Sequence, residues 1–178
     1  MTHPRDAHRI LIAGVSGAGK STLARRISNA RGLPYTELDS LHHGPGWQRL
    51  DSFDANVAAI AAGEHWISEW QYREVRPVLA ARADLLVWLD LPTALVMSRV
   101  IRRTYRRSVT NEELWNGNRE PGMWHAITQP EGIIRWAWQS RHKLRRTMPT
   151  LGADYPDLTV IRLRTPREVE AFAAGFTP

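Results

Sequence analysis

Residues 14–21 read Gly14-Val15-Ser16-Gly17-Ala18-Gly19-Lys20-Ser21. This is the pattern G-x-x-x-x-G-K-[ST], a P-loop, and its flanks suit it. Before it, Arg9-Ile10-Leu11-Ile12-Ala13 is a short apolar run that predicts a buried strand. After it, Thr22-Leu23-Ala24-Arg25-Arg26-Ile27 predicts a helix. Strand, glycine loop and helix in that order constrain the chain to a βα unit that grips phosphate. Glycines let backbone N–H groups turn inward where a side chain would clash. The helix start adds free N–H groups and the positive end of its dipole. Within 14–21 and at Thr22, the backbone would hold the phosphates of a nucleoside triphosphate. The Lys20 amine would reach its outer phosphates, and the Ser21 hydroxyl would hold Mg²⁺.

With 178 residues and no cysteine, the chain predicts a single domain, 1–178, with no disulfide or thiolate metal site. The missing cysteine and the polar start Met1-Thr2-His3-Pro4-Arg5-Asp6 predict a cytoplasmic protein without an export leader. No apolar run is long enough to span a membrane. Net charge is +6, and its distribution is uneven. Residues 99–146 hold ten arginines and Lys143 against Glu112, Glu113, Glu120 and Glu131, a net of +7. A segment so basic faces a polyanion, either a highly phosphorylated small molecule or nucleic acid.

Strands and helices alternate along the chain. Residues 34–38 predict a second strand, followed by Asp39 and a loop through His42-His43-Gly44-Pro45-Gly46-Trp47. Ser52 is placed to cap a helix carrying Phe53, Val57 and Ile60 and ending at Gly63. His65-Trp66-Ile67-Ser68 predicts a third strand delivering Glu69. A short helix follows over about 76–82. Leu85–Leu89 is the clearest buried strand and delivers Asp90. Pro92 opens a helix through Leu95, Val96, Arg99, Val100 and Arg103. Residues 108–130 break periodicity at Asn111, Asn116, Gly117, Asn118, Pro121, Gly122 and Pro130, the mark of a functional loop. A further helix is expected through Ile133, Ile134, Trp136, Ala137 and Leu144. Residues 158–163 predict a fifth strand, and Thr165-Pro166-Arg167-Glu168 begins a capped closing helix. The class is therefore α/β, with a five-stranded parallel sheet between two helical layers. Its carboxyl edge, where ligands bind, collects the P-loop, Asp39, Glu69 and Asp90.

Any of those three carboxylates can support a metal from a strand end. Asp90 follows the most apolar strand, although Leu91-Pro92 also suits it to entering a helix. Arg73, just beyond Glu69, is placed to hold an acceptor phosphate. Arg99 and Arg103 share one helix face, and Arg102 and Arg106 a neighbouring one. Trp66 and Trp88 lie in strands and are expected in the core. Trp136 and Trp138 cannot share a face, so one is expected in the core and one toward the irregular segment. Trp47, Trp70, Trp115 and Trp124 lie in loops at or near the crevice, to anchor them or to stack on a base. His42 and His43 lack a partner at metal spacing.

With these residues in place, the chain resembles the adenylate-kinase-like P-loop kinases, and more narrowly the bacterial DNA topology modulation proteins. The resemblance rests on the P-loop, Leu38-Asp39 with Pro45-Gly46-Trp47, Glu69-Trp70-Gln71-Tyr72-Arg73, and Leu89-Asp90-Leu91-Pro92 followed by Arg99 and Arg103. It implies strand order 2-3-1-4-5, ATP and Mg²⁺ as ligands, and a lid inserted at about 104–132, in which Leu114-Trp115-Asn116-Gly117-Asn118 with Glu120 resembles the narrow group's lid. It assigns Glu69 to the metal together with Ser21 and Asp39. Arg99 would lie against the base, Arg103 on phosphates, and Arg73 on an acceptor phosphate. Asp39 and Trp47 would face the acceptor, and Arg141 or Arg145 would return to the site after the lid. Glu69-Trp70 replaces the family's Asp-Gly, so a bulky ring is expected near the acceptor. The implied activity is transfer of a γ-phosphate to a nucleotide, nucleoside or similar small acceptor. Two other readings stand beside it: a P-loop ATPase that binds nucleic acid through 99–146, and a kinase of a sugar or other small alcohol.

Overall fold

The computed structural model describes residues 4–176. Five parallel strands form its centre: β1 (Arg9–Gly14), β2 (Tyr35–Thr36), β3 (Trp66–Glu69), β4 (Leu85–Leu89) and β5 (Thr159–Leu163). Their order is β2-β3-β1-β4-β5, as expected. β4 is buried at every residue and β1 at its four central ones. Unbroken apolar runs of this kind belong to parallel strands covered on both faces.

Side chains alternate along β1 and so feed two cores. Ile10 and Ile12 join Ile67, Leu85, Val87 and Leu89 beneath α1 (Lys20–Arg31) and α9 (Pro166–Ala174). Leu11 and Ala13 join Leu86 and Trp88 beneath α3 (Phe53–Ala62), α4 (Arg76–Ala80) and α8 (Lys143–Asp154). The period of two residues per strand is what divides one sequence run between two layers.

One helix stop and the expected capped helix start are set by local residues. Gly32 ends α1 at φ 66°, a left-handed conformation that only glycine adopts without strain. Thr165 accepts the Glu168 N–H at 3.2 Å, and the Glu168 carboxylate accepts from Arg164 N–H at 2.7 Å.

Other expectations are corrected. The second strand is only Tyr35–Thr36, because Leu38–His42 winds into a short helix, α2, that carries Asp39 in its first turn. Ser52 precedes α3 but makes no side-chain cap. The arginine helix α5 runs over Thr93–Thr110, further than expected, with Val96, Val100 and Thr104 buried. Irregular backbone is thus confined to residues after 110, and even there α6 (Met123–Thr128) forms. The helix expected across 133–144 is two, α7 (Ile133–Ser140) and α8, parted at Arg141-His142. Trp66 and Trp88 are core residues, while Trp136 and Trp138 are both exposed. Among the described residues, no helix is long and apolar enough to cross a membrane.

Candidate active site at the P-loop

β1 ends at Gly14, and the chain turns through Val15–Gly19 into α1. Ala18 N–H closes the turn on Val15 O at 3.1 Å. Gly17 and Gly19 have φ of 81° and 98°, conformations that favour glycine. A Cβ on Gly17 would stand 2.6 Å from Val100 Cγ2 and 2.8 Å from Val96 O. α5 therefore presses directly on the loop. Its arginines complete the contact: Arg99 donates to Ala18 O at 3.3 Å, and Arg103 donates to Ser16 Oγ at 3.1 Å.

At the first turn of α1, a cluster forms around Glu69, which is 2% exposed. Burying a carboxylate costs several kcal/mol unless partners meet its charge. Here Ser21 Oγ donates to Oε1 at 2.7 Å, Tyr35 OH donates at 2.9 Å, and Lys20 Nζ lies 3.6 Å from Oε2. Glu37 Oε1 also accepts from Ser21 Oγ, at 3.3 Å. Burial, then the Glu69 charge, pushes the Tyr35 phenol up, so it stays a donor. Burial and the Glu69 charge also push the Glu37 carboxyl up. Two carboxylates around one hydroxyl form an all-oxygen set of the kind a hard divalent cation takes. Glycines without room for a Cβ and an ammonium at the helix start suit a polyphosphate. The residues present therefore fit Mg²⁺ with a nucleoside triphosphate.

The second cluster lies around Asp39 on α2. Its Oδ1 accepts from Tyr72 OH at 2.6 Å and also from the Gln71 amide. Tyr72 OH in turn lies 3.1 Å from His43 Nε2, and His42 stacks on the Tyr72 ring at 4.0 Å. Tyr72 has φ 55°, an uncommon backbone conformation for a bulky residue. Burial and Asp39 push its phenol up. Among the described residues, no hydrogen bond reaches Asp39 Oδ2. Arg103, bonded to Ser16 in the P-loop, also feels Asp39: burial, then Arg107, lowers its pKa, and Glu120 and Asp39 oppose that.

Residues 111–132 cover the Asp39 side. Glu120 pairs with Arg107 of α5 at 2.6 Å. The turn at Trp115–Gly117 docks on the turn at Pro45–Trp47, and the two share one backbone form. Each is closed by an antiparallel bridge, His43 with Arg49 and Glu113 with Arg119. Each has a 2.7 Å bond across its base, Gly44 N–H to Gln48 O and Leu114 N–H to Asn118 O. Each has consecutive residues at positive φ, Gly46-Trp47 and Asn116-Gly117.

Not every expected residue meets the site. Asp90 is taken up by Arg145 at 2.8 Å and by Arg162. Burial would raise its pKa, yet hydrogen bonds from Arg162 and Arg145 outweigh that and hold it low. This carboxylate is a structural anchor between β4, α8 and β5, which also accounts for Arg145. Trp70 is buried in the core with Arg76 stacked on it at 4.4 Å, so its ring does not fill the crevice. Arg73 is exposed, with no ion pair among the described residues. Arg141 folds over Trp138 at 3.9 Å. Trp47 sits in the docked turn beside His43. No group of three or more His, Cys, Asp or Glu side chains that could hold a metal ion forms at His42-His43 or elsewhere among the described residues.

Sequence reasoning gave no site role to Tyr35, Glu37, Gln71, Tyr72 or His43, and placed Asn118 in the lid without its partners. Tyr35 and Glu37 carried a signal, because residues two apart at a strand end share a face. The others depend on contacts across long chain separations.

No family model matches the chain, and no curated protein matches its sequence. Solved structures do match in fold. A shikimate kinase from Acinetobacter baumannii in complex with shikimate is 14% identical, covers 94% of this chain and 89% of its own, and has a TM-score of 0.56. One from Bacteroides thetaiotaomicron is 11% identical over 95% and 96%, with a TM-score of 0.56. One from Aquifex aeolicus is 13% identical over 94% and 92%, with a TM-score of 0.51. The chain has a P-loop kinase fold.

Proposed function

We propose that this chain is an ATP-dependent phosphotransferase that moves the γ-phosphoryl group of ATP to a hydroxyl of a small acceptor. The observation that carries this reading is the Glu69 cluster. A buried carboxylate, the Ser21 hydroxyl and the Lys20 ammonium meet at the start of the helix that follows a phosphate-binding loop.

Ser21, Glu69 and Glu37 would hold Mg²⁺, with Asp39 on the acceptor side. The ion, when bound, would neutralise negative charge on the outer phosphates. Gly14–Gly19 backbone groups and Thr22 at the helix start bind the phosphates. Lys20 and Arg103 stabilise charge on the transferring group, and Arg99 lies toward the base. Asp39, held through Oδ1, keeps Oδ2 for the acceptor hydroxyl. It takes that proton as the acceptor oxygen bonds to phosphorus and the bond from phosphorus to the β,γ-bridging oxygen breaks, releasing ADP. Residues after Thr110, within the expected lid of 104–132, exclude water during transfer.

The acceptor is a nucleotide, nucleoside or similar small molecule carrying a hydroxyl. A second reading is a neutral sugar or other alcohol, which would leave the exposed Arg73 without a phosphate to hold. The paired turns at 45–47 and 115–117 support the narrower likeness to the DNA topology modulation proteins. The test is ADP formation with Mg·ATP and a panel of nucleotides, nucleosides and small alcohols. ADP that forms at one rate whatever is added would contradict the reading.

A further inference from the structure

Asn118 is one of four buried polar or charged residues among the described residues, and its amide is spent between two loops. Its Nδ2 donates to Gly44 O at 2.8 Å and to Trp115 O at 2.9 Å. Its Oδ1 accepts from Trp47 N–H at 3.0 Å. Asn116 adds a bond from Nδ2 to His43 O at 2.6 Å. An amide buried with these groups all paired is costly to displace, because each carbonyl and N–H it leaves would stay unsatisfied. The counterpart of Asn118 in the facing turn is Gln48, which is exposed. The side-chain bonds of the docking therefore come from Asn118 and Asn116 of one turn and not from a symmetric pair.

The clasp has a reach on both sides. Toward the acceptor, His43 Nε2 meets the Tyr72 hydroxyl, which holds Asp39. Toward the donor, Glu120 follows Asn118 by two residues and pairs with Arg107, one turn along α5 from Arg103. Arg103 bonds Ser16 in the P-loop.

We propose that Asn118 is a positioning residue that makes docking of the 111–132 segment and assembly of the Asp39–Tyr72–His43 acceptor group one event. This rests on the phosphotransferase reading for its purpose, but not for its geometry. The docked state brings the carboxylate that meets an acceptor into register at the same time as it shuts out water. The P-loop is built where β1 turns into α1 and is pressed by α5, none of which lies within 111–132, and the clasp reaches it only at second hand through the Glu120–Arg107 pair. Acceptor-side order is thereby tied directly to the lid, while ATP binding is expected to persist without the clasp.

The experiment follows amide hydrogen exchange and Mg·ATP binding in the wild-type chain, Asn118→Ala, Asn118→Asp and Tyr72→Phe. In Asn118→Ala the Trp47 amide is expected to exchange at least about tenfold faster. Leu23 N–H, bonded to Gly19 O at 3.0 Å, should stay protected and report an intact fold. Asn118→Asp keeps the acceptor for Trp47 but sets a carboxylate against two carbonyl oxygens, and the same loosening of 43–48 is expected. Tyr72→Phe should speed exchange across 113–119, although it touches no residue there. Mg·ATP affinity should stay within about twofold in every variant. Unchanged Trp47 protection in Asn118→Ala would overturn the clasp, and unchanged 113–119 in Tyr72→Phe would overturn the coupling. A wild-type chain that binds no Mg·ATP would instead remove the phosphotransferase reading and leave the clasp standing.

Discussion

Ser21 Oγ lies 2.7 Å from Glu69 Oε1, so the hydroxyl after the P-loop lysine and the carboxylate ending β3 already share a hydrogen bond. The bond fixes both oxygens at one edge of the loop. Glu69→Gln keeps the shape and removes the charge. Half-maximal activity should then need about tenfold more Mg²⁺ or above, in the range seen when groups around a metal are altered. A magnesium titration of ADP formation checks this. An unchanged midpoint would take Glu69 out of the metal site.

Asp39 and Tyr72 divide their work differently. Asp39→Asn removes the proton acceptor, and kcat should fall by about a hundredfold or more. Tyr72→Phe leaves the carboxylate but frees it to rotate, so a loss of about tenfold is expected. In both variants KM for Mg·ATP should hardly move. Steady-state kinetics in both substrates separates the two, and equal losses would remove the distinction.

Gly17 and Gly32 give a contrast within one conformation. Both have positive φ, but a Cβ on Gly17 meets Val100 and Val96 O, while nothing lies within 4 Å of one on Gly32. Gly17→Ala should cost about 1–3 kcal/mol by overpacking, beyond the backbone strain, and abolish ATP binding. Gly32→Ala should cost about 1–2 kcal/mol from backbone strain alone and leave ATP binding intact. Urea unfolding and nucleotide titration report the two effects.

Asp84 joins the strand starts, accepting from Arg9 Nε at 3.1 Å and from the His8 and Arg9 N–H groups. Burial would raise its pKa, but those bonds outweigh it and hold the carboxyl below its ordinary 3.8. Between the folded value and 3.8, the unfolded chain binds more protons, so stability rises with pH there. The contribution is full above 3.8 and is lost as pH falls through the folded value. Asp84→Asn should lower stability at neutral pH and flatten the acid limb of an unfolding series. A limb as steep as in the wild-type chain would assign the acid sensitivity elsewhere.

Much of this architecture was legible because its signals are local. Leu85–Leu89 is an unbroken apolar run, and Gly14–Ser21 carries its conformation in its glycines. The helix Leu38–His42 reads as a strand end and the start of a loop, because a two-residue strand leaves too short a pattern to end visibly. The break at Arg141-His142 has no glycine or proline to announce it. At the site, Lys20, Ser21, Glu69 and Asp39 were visible as types at strand ends or in a motif. Asn118 was visible as a breaker of periodicity within a lid-like segment, but its bonds were not, because its partners Gly44 and Trp47 are distant in the chain. Asp90 looked like a metal carboxylate because Arg145 and Arg162, which occupy it, arrive from elements much later in sequence.

The most direct test of the central claim is ADP formation by the wild-type chain and by Lys20→Ala across the acceptor panel. Removing the Lys20 ammonium takes away charge at the outer phosphates and leaves the sheet untouched. The wild-type chain should release ADP faster with at least one hydroxyl-bearing acceptor, with phosphate recovered on that acceptor. Lys20→Ala should fold normally and lose that transfer by at least about a hundredfold. Near-normal transfer by Lys20→Ala, or phosphate recovered only in solution for every compound, would contradict the account.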